Sequence, residues 1–194
     1  WSILYWLEQH PAVAPALKMA DRNHAKTAHA MALFLHLLDD HLYDGQLPVS
    51  HLSLLLRSQA WMQMNTAFTQ LAAGVDGGVK LVQDFIDAYY ASIGSPPTPD
   101  NLDGYCRHFC RQMATGMIVP VLMADKLTGD DQFSAALQEA YGAFGIAWRL
   151  LDDVQDMEAD MRSGNHSGIY YALPLNVRSS WGQTTQSDKV RAAV

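Results

Sequence analysis

The 194-residue chain is 49% hydrophobic and 17% charged, which fits one packed domain with room for a sizeable core and excludes a disordered segment. A net charge of −7 excludes the basic surface that nucleic-acid binding needs, and no apolar run reaches the roughly 18 residues of a membrane span. Because it opens on Trp1, the chain is expected to lack terminal segments.

Residues 3–19 carry apolar positions at helical spacing, interrupted by Pro11 and Pro15, and predict a helix, a turn and a second helical piece. Asp21 is placed to cap a helix over 22–43, on which Met31, Phe34, Leu35 and Leu38 make the apolar stripe. Gly45 and Pro48 close it. Ser50 caps a helix over 51–71, ended by Gly74, Gly77 and Gly78, and another is expected over 79–91. The run Gly94-Ser95-Pro96-Pro97-Thr98-Pro99 reads as a loop. Asp100 or Asn101 caps a helix to about Thr115, which continues after a kink at Gly116 and Pro120 as far as Leu127, before a turn at Thr128 and Gly129. The longest helix is expected over 131–162, with Tyr141, Gly145, Trp148, Asp152 and Asp156 on one face. No strand pattern is present, so the expected fold class is all-α.

Two of these helices deliver aspartate clusters directly after apolar runs: Asp39-Asp40-His41-Leu42-Tyr43-Asp44 and Asp152-Asp153-Val154-Gln155-Asp156. Residues four apart on a helix lie about 6 Å from each other, so Asp40 projects with Asp44 and Asp152 with Asp156. Like charges at that spacing repel, and the dipole at the end of the 22–43 helix adds negative charge. A hard divalent cation relieves both effects. Magnesium accepts one or two carboxylates, keeps waters and completes its shell with phosphate oxygens, so two facing clusters are expected to cage a diphosphate. Only Glu8, Glu139 and Glu158 are glutamates, and no Glu-x-x-His pair occurs, which excludes a di-iron bundle. Cys106 and Cys110, with His108 between them, fall short of a four-ligand zinc site and read as buried thiols. No secretory segment is visible, so a cytoplasmic location is expected.

The aspartate pair resembles the two aspartate-rich motifs of the trans-isoprenyl diphosphate synthase (polyprenyl synthetase) family, whose fold is shared with class I terpene synthases. The run from Phe144 to Asp153, with Gly145, Trp148 and Arg149 inside it, is similar to that family's Gly-x-x-Phe-Gln-x-x-Asp-Asp segment, and Tyr171-Ala172-Leu173-Pro174 to the stretch that follows. The resemblance covers most of residues 20–175. It implies a single antiparallel helical bundle of the isoprenoid-synthase type over 1–194. It also implies ionisation of an allylic isoprenoid diphosphate to a carbocation, assisted by three magnesium ions in an apolar pocket that excludes water.

By the same resemblance, Asp39, Asp40 and Asp44 hold metal on one helix and Asp152, Asp153 and Asp156 on the other, with Asp39, Asp40, Asp152 and Asp153 as the catalytic set. Phe34 and Leu35 take positions that limit product length, and His36, one turn before Asp40, is either a support for the metal ligands or a wall residue. Tyr141 and Trp148 are either pocket wall or ordinary core. Arg149 stands where the family has Gln, and either contacts diphosphate or pairs with Asp153. Arg107, Arg111, Lys126, Arg162 and His166 are further cations able to assist.

The chain departs from the family at three places. Gly45-Gln46-Leu47-Pro48 lacks the Arg-Arg pair, Gln112-Met113-Ala114-Thr115 replaces a Lys-Thr pair, and Ser163-Gly164-Asn165-His166 lacks a lysine. These are the groups expected to hold isopentenyl diphosphate. Three functions follow: a prenyltransferase elongating an allylic diphosphate with isopentenyl diphosphate, a terpene cyclase or lyase needing the allylic substrate alone, and a non-catalytic subunit of a heteromeric synthase. A homodimer is implied by the resemblance.

Overall fold

The computed structural model describes residues 2–9, 11, 13–43, 45–94 and 98–183. Among them every regular element is helical and none is a strand: the fold is all-α. The helices are α1 (Ser2–Gln9), α2 (Met19–Tyr43), α3 (His51–Ala72), α4 (Gly78–Gly94), α5 (Leu102–Gln112), α6 (Ala114–Thr128), α7 (Asp131–Gln155), α8 (Met157–Ser163), α9 (Gly168–Ala172) and α10 (Leu175–Arg178), with a 3-10 turn over Ala14–Ala16. No described helix is long and apolar enough to cross a membrane. The chain divides into two compact units, Trp1–Tyr89 with Met113–Ala140, and Tyr90–Gln112 with Tyr141–Val194.

In the first unit α2 packs chiefly on α3, and α6 packs on both. The inward stripe of α2 is Ala25, Ala28, Ala32, Leu35 and Leu38, and α3 answers with Met64, Phe68 and Leu71, all fully buried. Small residues on one helix let large ones on its neighbour approach closely. This corrects the expected stripe: Leu35 and Leu38 belong to it, Met31 is half-buried and Phe34 is exposed. Helix α6 is buried on every side from Met117 to Ala124, and its last turn reaches solvent.

The caps follow local chemistry. Ser50 accepts the Ser53 N–H at 3.1 Å and Ser53 Oγ accepts the Ser50 N–H at 2.8 Å, a reciprocal box at the start of α3. Gly129, at φ 60°, ends α6 in the left-handed region that glycine favours. Asp21 is no N-cap; α2 starts two residues earlier, and Asp21 is buried in its first turn. The interruption expected at Gly116 and Pro120 falls instead at Met113, φ −84° and ψ 2°, and Pro120 lies inside α6. Asp44 and residues 95–97 lie outside the described residues, as do the expectations that fall on them.

The second unit centres on Met161, Ile169, Leu173 and Trp181. Helix α5 packs on α9, with Tyr105 stacked on Tyr171 at 5.4 Å. Arg178 binds the segment together by donating to the carbonyls of Leu173 at 3.0 Å, Tyr171 at 2.6 Å and Asp100 at 2.8 Å.

Candidate functional site

Each unit contains one aspartate pair, and in each the two aspartates have different surroundings. Successive residues on a helix point about 100° apart. On α2, Leu38 therefore enters the core, Asp39 lies at its edge and Asp40 is exposed. Asp39 Oδ1 accepts Arg57 Nε at 2.6 Å, while Oδ2 accepts Arg57 Nη2 at 3.0 Å and Tyr89 Oη at 2.8 Å. The Arg57 guanidinium also lies 6.0 Å from the Trp61 ring centroid, and Trp61 meets Tyr89 at 5.7 Å. Burial, and then the bond to Asp39, push the Tyr89 phenol up, so it remains a donor across the physiological range. Phe34 and Leu35, expected to line the pocket together, separate: Leu35 is in the core and Phe34 is 38% exposed. His36 is half-buried.

On the second pair the contrast is sharper. The Asp153 side chain is 1% exposed. Its Oδ1 pairs with Arg149 Nε at 3.0 Å, and its Oδ2 accepts Tyr105 Oη at 2.9 Å and the Gly168 N–H at 2.9 Å. Arg149 Nε is shared with Tyr105 Oη at 2.8 Å, and Nη1 lies 3.7 Å from Asp152. The ion pair with Asp153, one of the two readings open for Arg149, is present. Burial pushes the Tyr105 phenol up, against the pull of Arg149. Asp152 and Asp156 are exposed.

The helix expected over 131–162 is interrupted here. Helix α7 ends at Gln155, and Asp156, φ −94° and ψ 3°, opens α8. The Asp156 N–H still reaches the Asp152 carbonyl at 2.9 Å, and Asp160 N–H the Asp156 carbonyl at 2.9 Å, so the pair stays one turn apart. The face expected to run from Tyr141 to Asp156 also divides. Gly145 is buried and Tyr141 half-buried, whereas Trp148 is 66% exposed and joins exposed Phe144 and Leu151.

Two clefts are lined by described residues, one in each unit. The cleft lined by Tyr105, Cys106, Phe109, Ile146, Arg149 and Leu150 has no room for even a water molecule, far below the range of about 300–1,000 Å³ usual for ligand sites. A larger open groove of about 310 Å³ lies between α2 and α3 at His24, Thr27, Gln59, Met62, Gln63 and Thr66. At a rise of about 1.5 Å per residue it is roughly 20 Å along α2 from Asp39, and its lining is mixed.

The remaining cations differ in commitment. Lys126 Nζ pairs with Asp21 at 2.8 Å and caps α3 by donating to the carbonyls of Leu71 and Ala73, each at 3.2 Å. Arg111, Arg162 and His166 are exposed, His166 stacking on Tyr170 at 3.7 Å. Arg107 pairs with Asp103 within α5. Cys106 and Cys110 are half-buried free thiols, both pushed up by burial and therefore poor metal ligands at neutral pH.

Among the described residues no three His, Cys, Asp or Glu side chains converge on one point. The donors on offer are the hard oxygens of Asp40, Asp152 and Asp156, one or two at a place. That suits magnesium, which needs no closed protein cage, and does not suit zinc. Arg57, Tyr89, Tyr105 and Gly168 were not singled out from sequence. Only Arg57 carried a signal, as the sole Arg or Lys of α3, set directly after Leu54-Leu55-Leu56. No protein-family model, curated protein or solved structure matches the chain, so the functional reading rests on these residues and on the motif resemblance.

Proposed function

We propose that this chain is a magnesium-dependent enzyme acting on an allylic isoprenoid diphosphate, by prenyl transfer of the polyprenyl synthetase type with isopentenyl diphosphate as co-substrate. The observation that carries this reading is the pair of exposed carboxylates Asp152 and Asp156, one turn apart where α7 gives way to α8, beside an aspartate already neutralised by Arg149. Asp40 offers a third exposed carboxylate in the other unit. When bound, magnesium neutralises the departing diphosphate and so lowers the barrier to an allylic cation. In the second unit Asp152 and Asp156 would hold metal, exposed Arg111 and Arg162 are available to diphosphate oxygens, and the Phe144–Trp148–Leu151 face offers apolar surface to a hydrocarbon chain. A homodimer is the setting this resemblance implies.

A second reading, cyclisation or elimination of the allylic diphosphate alone, is favoured by the Gly45-Gln46-Leu47-Pro48 segment, which carries no arginine for a second diphosphate. Incubation of the full chain with magnesium and geranyl or farnesyl diphosphate, with and without isopentenyl diphosphate, separates the two by mass spectrometry of the products. A longer diphosphate formed only with isopentenyl diphosphate is the expected result. A hydrocarbon or alcohol formed without it means a cyclase or lyase. No product in any mixture ends the enzymatic reading.

A further inference from the structure

We propose that the first unit carries a docking surface for an anionic phospholipid bilayer, on which Tyr5, Trp6 and Met19 enter the headgroup layer while Lys18 and Lys26 meet lipid phosphates. This surface is independent of the substrate proposed above. Helix α1 buries Leu4 and Leu7, yet Tyr5 is 56% and Trp6 66% exposed, so the helix is apolar on its solvent side as well. The two rings meet edge to face at 5.5 Å. A helix of eight residues is far too short to span a bilayer and can only lie in its surface. Tyrosine and tryptophan suit that layer because each joins an apolar body to a polar tip.

The ion pair between Arg22 and Glu8, at 3.1 Å, fixes α1 beside the start of α2. Met19 stands three residues before Arg22 and Lys26 four after it, so both flank that pair on the surface of α2, and Tyr5 stands three before Glu8 on α1. The face continues along α2, where Met19, Lys26, Leu33 and Leu37 recur at whole helical turns over about 27 Å, all exposed. Charge selects the occupant. Residues 1–38 hold Lys18, Arg22 and Lys26 against Glu8 and Asp21, a net +1 in a chain of net −7. Both acids are taken, Glu8 by Arg22 and Asp21 by Lys126. Lys18 and Lys26 are exposed and have no ion pair among the described residues. A second copy of the chain fits this face less well. A two-fold contact would set the face against itself, lysine towards lysine, with no unpaired carboxylate between Met19 and Leu37 to answer them. Lipid phosphates answer both lysines at once, and at about 0.1 M salt a Debye length of about 10 Å screens the acidic remainder of the chain.

The test is flotation of the full chain with vesicles of phosphatidylcholine alone and with vesicles carrying one phosphatidylserine in three, at about 0.1 M and about 0.5 M salt. Circular dichroism checks that each variant melts as the wild type does. The wild type is expected to float with the anionic vesicles at the lower salt and to be released at the higher. Replacing both lysines, Lys18→Gln with Lys26→Gln, is expected to weaken that binding more than tenfold, since each lysine near an anionic surface contributes about fivefold. Lys80→Gln removes the same charge from α4 and is expected to change binding less than about twofold. Trp6→Gln is expected to weaken binding at least about tenfold, through loss of its apolar contact; should it not fold, the double lysine variant decides. A wild-type chain that stays unbound overturns the proposal. So does equal flotation with neutral and anionic vesicles, or binding left unchanged by the lysine pair or by a folded Trp6→Gln. A dimer in sedimentation velocity that Trp6→Gln abolishes, with no vesicle binding by the wild type, gives the face to a second copy and overturns the lipid surface.

Discussion

Gly168 approaches Asp153 more closely than any side chain would permit. A Cβ built there lies 2.6 Å from Asp153 Oδ2, 2.7 Å from Leu150 Cδ2 and 3.1 Å from Tyr105 Cε1, so it meets three members of one buried cluster at once. Gly168→Ala is expected to break the backbone bond to Asp153 and force the clamp apart, destabilising the fold by about 2–3 kcal/mol. In a chain of this size that lowers the melting temperature by roughly 5–10 °C. Gly116→Ala is the control: its Cβ meets nothing within 4 Å, and alanine in the first turn of α6 should be neutral or stabilise by up to about 0.5 kcal/mol. Equal melting of the two variants would show that the clamp is not rigid. The aspartate pairs themselves were legible in the sequence, because spacing and charge reveal them. The i,i+4 pairing of Arg149 with Asp153 was legible too, but the tyrosine partners were not: Tyr105 is 48 residues from Asp153 and Tyr89 is 50 from Asp39, and such pairings arise from tertiary closure, which leaves no periodicity to read.

At the scale of elements, Lys126 joins three helices of the first unit. From α6 it pairs with Asp21 of α2 and caps the carbonyls at the end of α3, with only 18% of its side chain and 13% of that of Asp21 exposed. Lys126→Met would leave the Asp21 charge buried and unpaired and should destabilise by about 2–4 kcal/mol. The affinity of the folded fraction for inorganic diphosphate should not change. A large loss of diphosphate binding with unaltered melting would instead make Lys126 a ligand-binding cation. Most helices were legible from their ends: Ser50 and Gly129 cap as their chemistry predicts. The breaks at Met113 and Asp156 were not. Across Asp156 the helical hydrogen bonds continue, so neither glycine nor proline is needed there and no sequence signal marks the interruption. The expected stripe on α2 missed because large apolar residues were weighted over Ala25, Ala28 and Ala32, which make the seam.

For the molecule as a whole, acid is the sensitive direction. His29 on α2 is held at about 4 by burial, against the ordinary histidine value of 6.5, and its Nδ1 is buried without a hydrogen-bond partner among the described residues. Between those two values the unfolded chain carries a proton that the folded chain does not. Stability is therefore complete above pH 6.5 and is lost as pH falls towards 4. His108, also lowered by burial, acts in the same sense. Asp160, raised by burial, opposes it only at lower pH, near the carboxylate range. With allowance for partial solvent screening, the His29 contribution lost by pH 5 is about 1–2 kcal/mol, or a few degrees in melting temperature. His29→Gln removes the titrating group, so its melting temperature should fall less than that of the wild type between pH 7 and pH 5. Parallel melting curves for the two proteins over that range would mean that His29 takes up its proton without unfolding, and that another group sets the acid limit.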